Sequence, residues 1–194
     1  LPATQHQHLA DALARAGFTQ ASCWPSSGVG VPFQTRAAKV LDKDVFHDLT
    51  LLQIDGPPVT ALPLADSDRV KEGQELAFMG FPIGGALGFS SVTHRAMVSS
   101  ITQARLPSAQ SGQLNERAIR GLREGNFLIF QLDATAYPGN SGGPLFDPVS
   151  GEVVGVMNMV LLKGARESAL SHPSGISYAI PARHVREMMA RQRP

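Results

Sequence analysis

Short apolar runs of strand length, separated by turns that contain glycine or proline, recur along most of this 194-residue chain. The clearest of these runs are residues 49–54, 74–80, 91–101, 127–132, 151–160 and 175–180. The 19 Gly and 14 Pro suit many short strands joined by tight turns better than a helical bundle. The pattern predicts an all-β fold of two antiparallel barrels or sandwiches, followed by a short terminal helix that begins near Pro181.

Composition and charge exclude several classes of protein. Hydrophobic residues make up 43% and charged residues 17%, which is typical of a globular domain. The formal net charge of +1 gives no electrostatic basis for binding nucleic acid. No apolar run reaches membrane-spanning length, and Leu1–His8 has no signal-peptide pattern. Cys23 is the single cysteine, so no intramolecular disulfide forms, and cytoplasm, periplasm and organelles all stay open.

The segment Gly139-Asn-Ser-Gly-Gly-Pro144 carries the strongest chemical signal. A serine hydroxyl becomes a nucleophile only with a base in reach and with backbone donors placed for an oxyanion. Glycines let the chain turn sharply and aim successive N–H groups at one point. We interpret Ser141 as a nucleophile and the N–H groups of Gly139 and Ser141 as oxyanion donors, with Asn140 in the same oxyanion segment. The alternative is a glycine turn that carries an exposed serine.

The longer segment Asp133–Asp147 resembles the active-serine segment of the HtrA/Deg-type trypsin-like serine proteases. Four more segments resemble family strands in the same order. These are His47–Ile54 (led by the catalytic aspartate), Gly73–Pro82 (opening the second barrel), Gly151–Val156 (after the serine loop) and Gly175–Pro181 (lining the specificity pocket). The resemblance covers most of residues 33–187.

The resemblance implies two six-stranded antiparallel β-barrels, the first incomplete at its N-terminus, and a short C-terminal helix. The expected organisation is residues 1–64 for the remainder of the first barrel, 65–72 for the connection, 73–181 for the second barrel and 182–194 for the helix. The family has several strands before its catalytic histidine, so an N-terminal part is expected to be missing. The protein-interaction domain that often follows the protease is also not represented.

The resemblance gives Asp48 the role of the triad carboxylate, which would hold an imidazole in the required tautomer. The adjacent His47 is interpreted as a surface or supporting residue, since successive side chains of a strand point apart. The catalytic histidine should lie upstream. His8 directly precedes a short helical run and is preferred, with His6 as the alternative. Gln5 stands where the family usually has a threonine, and either histidine could instead be a solvated N-terminal side chain.

A third group of residues is expected to bind substrate. Thr135 stands six positions before the nucleophile, at the floor of a trypsin-type pocket, where a basic substrate side chain would find no carboxylate. Ser177, Tyr178 and Ala179 are expected to form a wall that pairs with the substrate backbone, and the Ala179 methyl group would narrow the entrance. These residues predict cleavage after small or medium aliphatic residues. Thr135 could alternatively only pack under the serine loop.

The sequence therefore predicts a serine endopeptidase that acts on unfolded or extended polypeptide through an acyl-enzyme, without a cofactor or metal. His94, His172 and His184 show no metal-site spacing. By resemblance, the role is protein quality control, and the bacterial periplasm or cell envelope is the favoured compartment. Assembly into a homo-oligomer is compatible with the sequence. Two other hypotheses are a catalytically silent protease-fold protein that binds polypeptide, and an esterase acting on non-peptide substrates.

Overall fold

The computed structural model of the chain describes residues 20–23, 34–82, 91–104, 127–158 and 175–192. The chain divides into two compact units, and the division falls between Thr60 and Ala61. No helix among the described residues is long and apolar enough to cross a membrane.

The first unit is an open antiparallel sheet of three strands. The strands are β1 (Gln20–Cys23), β2 (Gln34–Asp44) and β3 (Leu49–Ile54), in that spatial order. A turn at residues 45–48 joins β2 to β3, and a register shift between Val40 and Asp42 marks a bulge in β2. The cross-strand partners Val40 and Leu52 are exposed, so part of the apolar surface of this sheet is not covered within the unit.

The second unit is a closed antiparallel barrel of six strands in the order β4-β5-β6-β9-β8-β7. The strands are β4 (Glu75–Gly80), β5 (Val92–Gln103), β6 (Leu128–Asp133), β7 (Pro144–Phe146), β8 (Val153–Asn158) and β9 (Ile176–Pro181). Pairing of β4 with β7 closes the ring. Closure gives every strand of the barrel a neighbour on both sides, which limits edge-to-edge association.

The interior of the barrel is filled by large apolar side chains at alternate positions of the strands. Among them are Leu76, Phe78, Val98, Phe130, Leu132 and Leu145, each with 2% or less of its surface exposed. Burial of one such side chain contributes about 1.5–3 kcal/mol relative to exposure. The barrel is therefore a packed core on which loops can be held in fixed positions.

Helix α1 (Ala182–Ala190) follows β9 directly. Pro181 stands before its first turn, and the Arg183 N–H donates to the Ser67 hydroxyl at 3.0 Å. The Arg183 guanidinium also pairs with Asp68 at 2.6 Å. These contacts join the start of the helix to the short 3₁₀ turn Ser67–Arg69 and hold it on the barrel.

The all-β fold, an antiparallel six-stranded barrel and the C-terminal helix are confirmed. Of the two predicted six-stranded barrels, the first of them incomplete at its N-terminus, one closed barrel is present, and the described residues before Ala61 form three strands in an open sheet instead of a second barrel. Three strands cannot close around an interior, since closure requires a ring of tilted strands large enough to enclose side chains.

Candidate active site

Ser141 lies exposed in the loop of residues 134–143 that joins β6 to β7. On either side of it, Gly139 has φ +105° and Gly142 has φ +86°, a region that residues with a side chain rarely adopt. A Cβ atom on Gly139 would also collide with the carbonyl oxygen of Phe81. The sharp bend expected from the glycines is therefore present, and it displays the serine at the surface of the barrel.

Hydrogen bonds to two distant strands hold this loop in place. The Gly142 N–H donates to the Met157 carbonyl at 2.9 Å, and the Met157 N–H donates to the Gly143 carbonyl at 2.9 Å. On the other side, the Phe81 N–H donates to the Gly139 carbonyl at 3.1 Å. The loop thus bridges β8 and the end of β4, and the position of Ser141 is tied to the barrel.

Three backbone amides of the loop donate hydrogen bonds to carbonyl oxygens of the protein itself. Asn140 N–H donates to the Tyr137 carbonyl at 3.0 Å, and Gly143 N–H donates to the Asn140 carbonyl at 3.1 Å. With Gly142 bound to β8, these three amides already have acceptors and are not available to an incoming carbonyl. Asn140 therefore cannot donate to an oxyanion from its backbone in this conformation. It is removed from the predicted oxyanion segment Gly139–Ser141.

Thr135 and Ser177 lie close together at the base of the loop. The Ser177 hydroxyl is buried and donates to the Ala134 carbonyl at 2.6 Å, while the Ala134 N–H donates to the Gly175 carbonyl at 2.9 Å. Thr135, next in the chain, is half-buried. These bonds extend the pairing of β6 with β9 and hold the backbone on which Thr135 stands.

The geometry of β9 argues against the expected substrate wall. Tyr178 and Ala179 pair with β6 on one side and with β8 on the other, so a substrate strand could add only if one of those pairs opened. Ala179 is fully buried and belongs to the barrel core, so its methyl group cannot narrow an entrance. The local sequence pattern predicted that β9 is a strand. It could not predict which strands pair with β9, because β6 and β8 come from segments tens of residues away.

Asp48 occupies the last position of the turn between β2 and β3, with φ +58°. Aspartate tolerates this left-handed conformation better than most residues. Asp44 organises the turn: its Oδ1 accepts the His47 N–H at 3.0 Å, and its Oδ2 contacts His47 Nδ1 at 2.8 Å. The strand in the segment His47–Ile54 begins only at Leu49, since residues 45–48 form the turn, so the alternation of side chains along a strand does not apply to His47 and Asp48.

Asp48 and Ser141 belong to different units of the chain. The candidate bases His6 and His8 lie outside the described residues. Within the described part of the chain, no group of three His, Cys, Asp or Glu side chains could hold a metal ion.

Sequence reasoning placed Asn140 in the oxyanion segment but missed the burial of its side chain, and it missed His94 altogether. Asn140 is completely buried, and neither atom of its side-chain amide has a hydrogen-bond partner among the described residues. His94 is half-buried, its Nε2 atom is buried without a partner in the described part of the chain, and burial lowers the pKa of this imidazole. The alternation of β5, which places His94 on the same face as Ala96 and Val98, was the signal that could have indicated an inward position.

Comparison with known proteins agrees with this geometry. Residues 17–156 match the family described as trypsin-like peptidase domain. The chain is 32% identical over 147 residues to a "probable periplasmic serine endoprotease DegP-like" of Marinomonas sp. (strain MWYL1), covering 75% of this chain and 25% of that protein. It is 33% identical over 153 residues to "serine protease Do-like HtrA" of Lactobacillus helveticus, covering 78% of this chain and 32% of that protein.

Among solved structures, "HtrA-type protease AlgW with decapeptide" superposes with a TM-score of 0.59 at 25% identity, over 81% of this chain and 40% of that one. The chain thus spans a quarter to a third of the length of these two curated relatives.

Proposed function

Because the chain belongs to the trypsin-like peptidase domain family, we propose that it is a serine endopeptidase with Ser141 as its nucleophile. The observation that carries the proposal is the exposed Ser141 in a loop bent by two positive-φ glycines and bound to the barrel on both sides. A loop held in this way can present a hydroxyl and backbone donors without reorganising during the reaction, which is the main requirement for stabilising an oxyanion.

In the proposed reaction, the Ser141 hydroxyl attacks the substrate carbonyl carbon while an imidazole, assigned to His8 with His6 as the alternative, accepts its proton. Asp48 orients this imidazole and stabilises its charged form. The N–H groups of Gly139 and Ser141 donate to the oxyanion. The tetrahedral intermediate collapses, the leaving amine takes the proton from the imidazolium, and an acyl-enzyme remains. Water, activated by the same imidazole, then releases the carboxylate product and regenerates Ser141.

The proposed substrate is an unfolded or extended polypeptide. Two relatives bear the names of serine proteases, and the similar AlgW structure is titled as holding a decapeptide. The half-buried, neutral Thr135 supports a preference for small or medium aliphatic residues before the cleaved bond, because a buried basic side chain would lack a charge partner. Tyr178 and Ala179 are not included in this substrate site, since both sides of their backbones are already paired.

Covalent labelling with a fluorophosphonate probe tests the nucleophile. We expect the full chain to be labelled at Ser141 and the Ser141→Ala variant to remain unlabelled. Ser99→Ala is the matched control, because Ser99 is an exposed serine on β5 whose hydroxyl bonds to the Gln131 carbonyl, and it should leave labelling unchanged. A folded chain that is not labelled, yet binds extended peptide, would contradict the proposal and support the silent polypeptide-binding alternative.

Cleavage of a peptide library that varies the residue before the cleaved bond tests the preference. We expect Ala, Val and similar residues to be cleaved faster than Arg or Lys. Efficient cleavage after Arg or Lys would contradict the role of Thr135, and hydrolysis of simple esters without peptides would favour the esterase hypothesis.

A further inference from the structure

Asn140, which directly precedes Ser141, has the lowest exposure of any polar residue among the described parts of the chain. It is 0% exposed, and within the described ranges its amide atoms Nδ2 and Oδ1 are buried without a hydrogen-bond partner. Its backbone is fully engaged with Tyr137 and Gly143. Buried amides in folded proteins are almost always paired, so the surroundings of this side chain should contain a group able to pair with it.

His94 offers such a group. Its Nε2 atom is also buried and finds no hydrogen-bond partner among the residues that the structure describes. The imidazole stacks on the ring of Phe78 with 4.8 Å between centroids and 14° between planes. Phe78 is completely buried, so the stack fixes the plane of the imidazole and limits where Nε2 can point.

Strand β4 brings the two residues to the same end of the barrel interior. Phe78 is the cross-strand partner of His94, and Gly80 lies two residues further along the same face of β4. A Cβ atom on Gly80 would collide with Oδ1 and Cα of Asn140. His94 and Asn140 are thus separated by about one two-residue strand step, roughly 7 Å along β4, which a rotamer change or one bridging water can span.

The two side chains are chemically complementary. The amide of Asn140 supplies a donor and an acceptor, and a neutral imidazole can match either at Nε2. Burial lowers the pKa of His94, which favours the neutral form of the ring. The nearest charged side chains on the two strands, Arg95 and Glu75, form an exposed ion pair at 2.9 Å and do not compete for this imidazole.

We propose that His94 is a positioning residue for the peptidase reaction: paired with Asn140 inside the barrel, it holds the serine loop in the conformation that presents the Gly139 and Ser141 amides. The inference rests on the proposed function and extends it to a residue on a different strand. His94 acts through Asn140 and does not touch the substrate.

The test measures fluorophosphonate labelling of Ser141 in the full chain, with the maximal rate separated from probe affinity by varying probe concentration. His94→Phe keeps a ring beside Phe78 and removes the polar atoms. We expect the maximal labelling rate to fall at least about 10-fold with probe affinity unchanged, because small displacements of reacting groups are costly. His94→Gln keeps a polar group near the position of Nε2 and should label within about 3-fold of wild type.

His184→Phe is the matched control. His184 is a buried histidine in α1, where it contacts Glu187 at 3.2 Å and the ring of Phe127. This variant should lower Tm without changing the maximal labelling rate of the folded protein. If His94→Phe does not fold, His94→Met replaces it, since methionine adapts to irregular apolar sites.

A double-mutant cycle tests the route through Asn140. We expect Asn140→Leu to slow labelling, and the double variant with His94→Phe to be no slower than the slower single variant. Multiplicative losses would overturn the coupling, and wild-type labelling by folded His94→Phe would overturn the inference alone. Absence of labelling in the folded wild type would instead overturn the proposed function, and the inference with it.

Discussion

Ser141 lies between two glycines with positive φ, and Asp48 itself has a positive φ. The two turns that carry these residues are held by different kinds of hydrogen bond. The serine loop is bound to Met157 and Phe81, residues on two other parts of a closed barrel. The turn that carries Asp48 is bound by Asp44, only a few residues away in the same hairpin. Tertiary bonds fix a loop against a packed core, whereas local bonds fix only the shape of the turn. The following predictions test this contrast, from the largest expected effect to the smallest.

The largest difference between the two units should appear in the stability that is lost when a leucine is truncated. Leu132 on β6 is 0% exposed, whereas Leu52 on β3 is 46% exposed. We expect Leu132→Ala to lower the free energy of unfolding by about 2–5 kcal/mol through lost burial and a cavity, and Leu52→Ala to lower it by about 0.5–1 kcal/mol. Urea unfolding measures both. Equal losses would mean that the open sheet is as well packed as the barrel.

Substitution of Gly139 should lower both the stability of the protein and the reactivity of Ser141. Gly139→Ala places a side chain at φ +105° and against the Phe81 carbonyl oxygen. We expect a loss of about 1–3 kcal/mol in stability and a fall of about 100-fold in fluorophosphonate labelling.

Gly142→Ala is the comparison variant, because Gly142 has φ +86° but open space around its Cβ position. It should lose about 1 kcal/mol from backbone strain alone and slow labelling less than Gly139→Ala. A larger effect at Gly142 would show that the contact with Phe81 is not what fixes the loop.

Removal of Asp44 should loosen the turn that carries Asp48. Asp44→Ala deletes both contacts to His47, and we expect a loss of about 1–2 kcal/mol in the first unit. Amide hydrogen exchange of His47 should accelerate by about 10-fold, because its N–H loses its acceptor. The exposed Asp55→Ala at the end of β3 is the control and should leave this exchange rate unchanged. Unchanged exchange in Asp44→Ala would show that the turn is held from elsewhere.

The smallest effect is expected at Asp147, in the turn between β7 and β8. The Ser150 and Val149 N–H groups hold the pKa of this exposed carboxylate below its ordinary value. A depressed pKa in the folded state stabilises the protein above the ordinary pKa of about 4, and this contribution is lost as pH falls through the depressed value. Asp147→Asn should therefore reduce the fall of Tm in acid while changing Tm little at pH 7. An unaltered acid profile would contradict this assignment.

Local features of the sequence were sufficient to predict the serine loop. Gly139 and Gly142 adopt the positive φ values that a sharp bend requires, and the apolar runs became the barrel strands. The neighbours of β9 were not predictable in this way, since its partners β6 and β8 come from distant segments and pairing between them leaves no local pattern. The inward position of the His94 ring was missed for a related reason, because its stacking partner Phe78 lies on another strand.

The bonds between Met157 and the two glycines after Ser141 have a consequence for how this protein can change over time. Strand β7 is only three residues long, and Gly142 and Gly143 continue its ladder with β8. Ser141 therefore directly precedes residues that take part in the pairing of β7 with β8. A descendant that abandoned catalysis and lost the serine would therefore still be constrained at Gly143, where a side chain would collide with the Met79 carbonyl oxygen.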